Sequence, residues 1–95
     1  MADSTLMSKA KTALKITTTD FDTEIGDLVD ACLKDLQIAG VETLTTTDVL
    51  IIRAVCTYCR MSWGSPIDYD KLKASYDEQK AQLQMSSSYS FGGSV

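Results

Sequence analysis

The chain of 95 residues contains no histidine. That absence removes the commonest general base and the commonest zinc ligand together. A Ser/His/Asp arrangement is thereby excluded, and no Gly-rich phosphate loop is present. The carboxylates are numerous but none sits in a recognisable cleft-forming context, so neither catalysis nor a cofactor is expected. Cysteine is limited to three residues, an odd number that does not suggest a disulfide framework. Cationic residues are also few: nine Lys and Arg stand against thirteen Asp and Glu, for a net charge of −4 and a pI near 4.5. Such a balance disfavours nonspecific grip on a phosphate backbone, which needs clustered cations. No apolar run is long enough for a bilayer span. Residues Met1 to Lys15 lack the apolar core of a signal peptide and carry Asp3 early, so a reducing cytosol is the expected setting.

What remains is a chain with 44% hydrophobic and 23% charged residues, the composition of one globular domain. So small a domain buries roughly two-thirds of its unfolded surface, and its modest stability is easily raised by partners.

The stretch around which the rest is organised runs from Thr47 to Gly64. Val49, Leu50, Ile51, Ile52, Ala54, Val55, Cys56, Tyr58, Cys59, Met61 and Trp63 cover nearly the whole circumference of a helix. Only Arg53, Thr57 and Arg60 form a polar strip, at i, i+4 and i+7. A helix apolar nearly all round must be surrounded by protein, so the other segments are expected to wrap it. Thr46, Thr47 and Asp48 offer capping oxygens at its start, and Gly64 with Pro66 marks its end.

Three further helices are expected. Ser4 to Leu14 has a thin apolar stripe of Leu6, Ala10, Ala13 and Leu14, with Asp3 or Ser4 as cap. After the β-branched break Thr17 to Thr19, Asp20 is placed as the N-cap of the cleanest amphipathic pattern in the chain. There Phe21, Ile25, Leu28, Val29, Cys32, Leu33 and Leu36 share one face, and Gly40 closes the helix with Val41 folded back. Asp20, Glu24, Asp27, Asp30 and Asp35 are placed on the opposite, solvated arc. A calcium site is not expected there, because a straight helix face does not curl oxygens around an ion. The last helix is expected to have Pro66 at its first position and a Ser65–Asp68 capping box. Its stripe is Tyr69, Leu72, Tyr76 and Leu83, running to about Met85. Residues 86–95 are rich in Ser and Gly, with Tyr89 and Phe91 embedded, and cannot build a core alone.

The fold class is therefore all-α: a small bundle of about four helices around a central hydrophobic helix, with an extended C-terminal tail. Within it, Cys56-x-x-Cys59 has the spacing of redox pairs and zinc knuckles. It falls in mid-helix, away from the dipole that activates thiols, and only Cys32 could add a ligand, so buried packing is expected. Arg53 and Arg60 must either reach solvent or meet carboxylates, in this chain or in a neighbouring copy, because an unpaired buried charge is very costly.

Taken together, Asp22-x-x-Ile25-x-x-Leu28-Val29-x-Ala31, the threonine-capped helix Asp48 to Trp63, the turn Gly64-Ser65-Pro66, the Tyr76 to Leu83 helix and the Ser-Ser-Ser-Tyr89 segment resemble the small all-helical head–tail connector (adaptor) proteins of long-tailed bacteriophages. The resemblance covers roughly Leu14 to Tyr89. It implies a virion protein of the phage neck, assembled in the host cytoplasm as a ring that is expected to be dodecameric. Such a ring joins the portal protein to a head-closure or tail protein and extends a channel through which DNA passes without specific recognition. The change in composition at Ser86 divides the chain into an expected helical connector domain, 1–85, and a Ser/Gly-rich tail, 86–95. Arg53, Arg60, Tyr89 and Phe91 are then the candidate subunit or partner interface, and the five carboxylates of the second helix the candidate acidic surface. The alternative is a small acidic helical module, regulatory or scaffolding, that binds a protein partner without forming a ring. A DNA-binding helix-turn-helix is weakened by the charge and by the lack of a basic exposed recognition helix.

Overall fold

In the computed structural model, which describes residues 3–41, 44–45, 48–64 and 66–85, the chain forms four helices. These are α1 (Ser4–Leu14), α2 (Asp22–Ile38), α3 (Val49–Ser62) and α4 (Tyr69–Met85). The long axis of the molecule measures 45 Å against 28 and 19 Å across. Helix α3 is the centre, touching α1, α2 and α4, as its apolar circumference requires. Ile51, Ala54, Val55 and Cys59 are wholly enclosed by the single chain. The wrapping is incomplete at the helix ends, where Val49 is 73% exposed and Trp63 half-buried.

The core follows the helical period. From α1 it takes Leu6 and Ala10; from α2, Ile25, Val29, Cys32 and Leu36; from α4, Leu72, Tyr76 and Leu83. Helices α2 and α3 run antiparallel, since Phe21 before α2 meets Trp63 after α3, ring centroids 5.3 Å apart and edge to face. Helix α4 returns alongside α2: Gln84 Nε2 donates to the Ala39 carbonyl at 2.8 Å. The bundle therefore has two ends, one holding the start of α2, the end of α3 and the start of α4, the other holding their opposite termini.

Local signals set most boundaries. Asp3 Oδ1 accepts from the N–H groups of Thr5 and Leu6 at 2.8 and 3.2 Å, and Asp48 Oδ1 accepts from Leu50 N–H at 2.8 Å. Helix α2 stops in a Schellman motif in which Gly40 N–H donates to Gln37 O and Val41 N–H to Leu36 O, with Gly40 at φ +100° and Val41 fully buried. Two expected starts are corrected. Asp20 does not cap α2: Phe21 is the N-cap residue, and its phenyl ring, which has no oxygen to accept a backbone N–H, packs on Trp63 instead. Pro66 is not the first residue of α4. Its carbonyl accepts from Tyr69 N–H at 3.3 Å, so a turn precedes the helix and Asp68 C=O accepts the first helical bond, from Leu72. Trp63 lies just past α3 in an extended conformation. Thr46, Thr47 and Ser65, expected to contribute caps, lie outside the described residues, as do Tyr89, Phe91 and the whole 86–95 segment.

Candidate protein interface

The polar strip of α3 reaches the surface. Arg53 and Arg60 are both exposed, and Thr57 between them returns its hydroxyl to the Arg53 carbonyl at 3.0 Å. The strip overlooks a groove of about 380 Å³ formed by α1, α3 and α4, with Ala13, Cys56, Leu72, Ser75 and Gln79 completing its lining. Arg60 Nη2 lies 3.9 Å from Asp68 Oδ2, both side chains about half exposed, a contact worth little in water. The groove continues past Arg53 along α4, between Ser75, Glu78, Gln82 and Met85.

The thiols beside it are not poised for chemistry. Burial pushes the Cys59 thiol up to about 12, so it carries no thiolate near neutrality. Cys56 is half-buried, its Sγ donating to the Lys9 carbonyl at 3.6 Å; burial raises its pKa too, against the opposing charges of Lys9 and Arg60. No group of three or more potential metal ligands occurs among the described residues.

The acidic arc divides. Asp20, Glu24 and Asp27 are exposed and Asp30 is half-buried. Asp35, expected on the solvated face, is instead drawn inward. Tyr76 Oη donates to its Oδ2 at 2.6 Å, and Lys80 Nζ reaches the same oxygen at 3.2 Å. Partial burial pushes the Asp35 pKa up, but the hydrogen bonds from Tyr76 and Lys80 outweigh it and hold the carboxyl below its usual value. Lys80 also lies 5.3 Å from the centroid of the Tyr76 ring. The hidden signal was the tyrosine, since a buried phenol requires a polar partner. The outward stripe of α2 is thus Glu24, Asp27, Ala31 and Lys34, ending at Ile38.

Sequence periodicity also missed what lies at the two ends. In the segment that follows Trp63 and leads into α4, Ile67 is fully exposed and Tyr69 44% exposed, and one cleft runs under Phe21 and Trp63 and another between Gly64, Pro66 and Tyr69. At the other end Ile38, Val49 and Met85 are each more than 70% exposed. Bare apolar side chains gathered at the poles of a small bundle mark interaction surfaces.

A family model described as phage connector protein matches residues 6–90. The chain belongs to the phage connector family. The match spans all four helices, including the groove and both apolar ends. This connector accordingly has a structural role in the phage particle, at the virion neck, in contact with other head and tail proteins. No curated protein and no solved structure matches it. No helix among the described residues is long and apolar enough to cross a membrane.

Proposed function

We propose that this connector forms a homo-oligomeric ring, dodecameric by family resemblance, that joins the portal vertex to the head-closure or tail proteins and extends the DNA channel. The observation that carries this reading is the pair of bare apolar ends on the bundle. A lone subunit leaves Phe21, Ile67 and Tyr69 wet at one end and Ile38, Val49 and Met85 wet at the other. Proteins stacked above and below would cover both, and burial of apolar surface is the main force for such association. The net charge of −4 suits a wall past which DNA slides without being held. Residues 1–85 supply the helical body in this reading. Residues 86–95, with Tyr89 and Phe91 as aromatic anchors, supply a strap onto a neighbouring copy or the portal. Assembly takes place in the host cytoplasm before the particle is complete.

The test is the mass of the purified protein, alone and mixed with the portal protein of the same phage. A ring-sized species in the mixture is expected. Subunits that stay single at high concentration with portal present would overturn the reading, and a one-to-one complex with a partner would favour a non-ring module.

A further inference from the structure

Within the ring reading, on which this step rests, we infer that the groove holding Arg53 and Arg60 receives the acidic outer face of α2 from a second copy of this chain. Around Arg53 and Arg60 the groove carries no carboxylate, and Glu78 enters only where it continues past Arg53 along α4, in a chain whose acids outnumber its bases thirteen to nine. Asp68 holds Arg60 only loosely, at 3.9 Å, so the guanidinium is available to a better partner. Gln79, on the groove wall, has its Oε1 buried without a hydrogen-bond partner.

The complementary surface is on the same molecule but faces another way. Ile25, Val29, Cys32 and Leu36 turn one side of α2 into the core, which leaves Glu24 and Asp27 outward, with Asp20 exposed just before the helix. Ala31 in the same outward stripe is small enough for the helix backbone to approach closely. Arg53 and Arg60 are seven residues apart on α3, roughly 10 Å along the axis, and Glu24 and Asp27 three residues apart on α2, roughly 4.5 Å, so the long arginine side chains must converge to engage both carboxylates. Two different, mutually complementary patches on one subunit make a heterologous contact, the kind that closes into a ring when its rotation allows. The apolar end of Ile38, Val49 and Met85 then remains free, while Glu24 and Asp27 border the cleft of Phe21 and Trp63 at the other.

The experiment compares assembly mass, with portal protein present, for four samples: wild type, R53E/R60E, E24R/D27R, and the two variants mixed. All four positions are exposed, so helical content by circular dichroism is expected to match wild type; R53Q/R60Q serves as the milder variant should the reversal disturb folding. Each variant alone is expected to assemble at least about tenfold more weakly, and the mixture to recover ring-sized species. Wild-type assembly by either variant alone overturns the inference while leaving the ring reading intact. Loss in the arginine variant without loss in the acidic variant also overturns it, since the groove then takes another protein. A wild type that never leaves monomer mass overturns the ring reading itself, and this contact with it.

Discussion

Tyr76 shows how one side chain ties two distant segments together. Its single proton goes to Asp35, forty-one residues away in sequence, at 2.6 Å. The phenol oxygen is then left to accept, and the Cys32 Sγ stands 3.7 Å from it. Burial raises the Cys32 thiol to about 12 and, with the Asp35 hydrogen bond, raises the Tyr76 phenol as well, so both groups stay neutral and donating at physiological pH. Tyr76→Phe removes one hydrogen bond to a charged but partly exposed group and is expected to cost about 1 kcal/mol in urea unfolding at pH 7. The sign of its pH dependence follows from Asp35. A carboxyl held below its usual value contributes stability above the unfolded pKa, and loses it as pH falls through the folded pKa. The gap between wild type and Tyr76→Phe should therefore narrow below about pH 4. A gap that stays constant down to about pH 2 would show that the hydroxyl acts through packing alone.

At the scale of the helix, termini were harder to read than faces. Lys15 ends α1 in the left-handed region at φ +60°, its N–H donating to Thr12 O and that of Ile16 to Lys11 O. This geometry is ordinarily supplied by glycine, as Gly40 does after α2. Relief of the Cβ strain in Lys15→Gly exceeds the added freedom of the unfolded chain, so the variant should be more stable by about 0.5 kcal/mol, read as a rise in Tm. The faces themselves were plain from spacing: Leu6 and Ala10, then Ile25, Val29, Cys32 and Leu36, are all enclosed. Asp35 was misread because it stands at the margin of its stripe, where a period of 3.6 does not distinguish a solvated acid from one held by a neighbouring helix. Gln79 fills the position between Tyr76 and Leu83 in the stripe of α4, and its polarity concealed that it faces inward onto the groove.

For the whole molecule, the proposed assembly uses two kinds of contact. In it the charged sides would discriminate by sign and the apolar ends would gain by exclusion of water. Ile67 separates these contributions from folding, because it is fully exposed and in no core contact. Ile67→Ser is expected to change stability by less than about 0.5 kcal/mol. It should nevertheless weaken co-assembly with the protein that meets that end, measured as the concentration at which the complex forms with portal or head-closure protein. Unaltered assembly with both would remove Ile67 from the docking surface.

The sequence by itself determined the class of fold and the identity of the central helix, and left Arg53 and Arg60 either to reach solvent or to meet carboxylates. The first two follow from the periodic placement of apolar and charged residues along a local chain, for which near neighbours suffice. Only the tertiary structure decided that Asp35 belongs to Tyr76 and Lys80, that the arginine strip opens into a groove between α1, α3 and α4, and that Phe21 and Trp63 meet at one pole. Those arrangements depend on the antiparallel return of α3 and on the parallel alignment of α4 with α2. They join residues dozens of positions apart, and no short-range spacing records such a meeting.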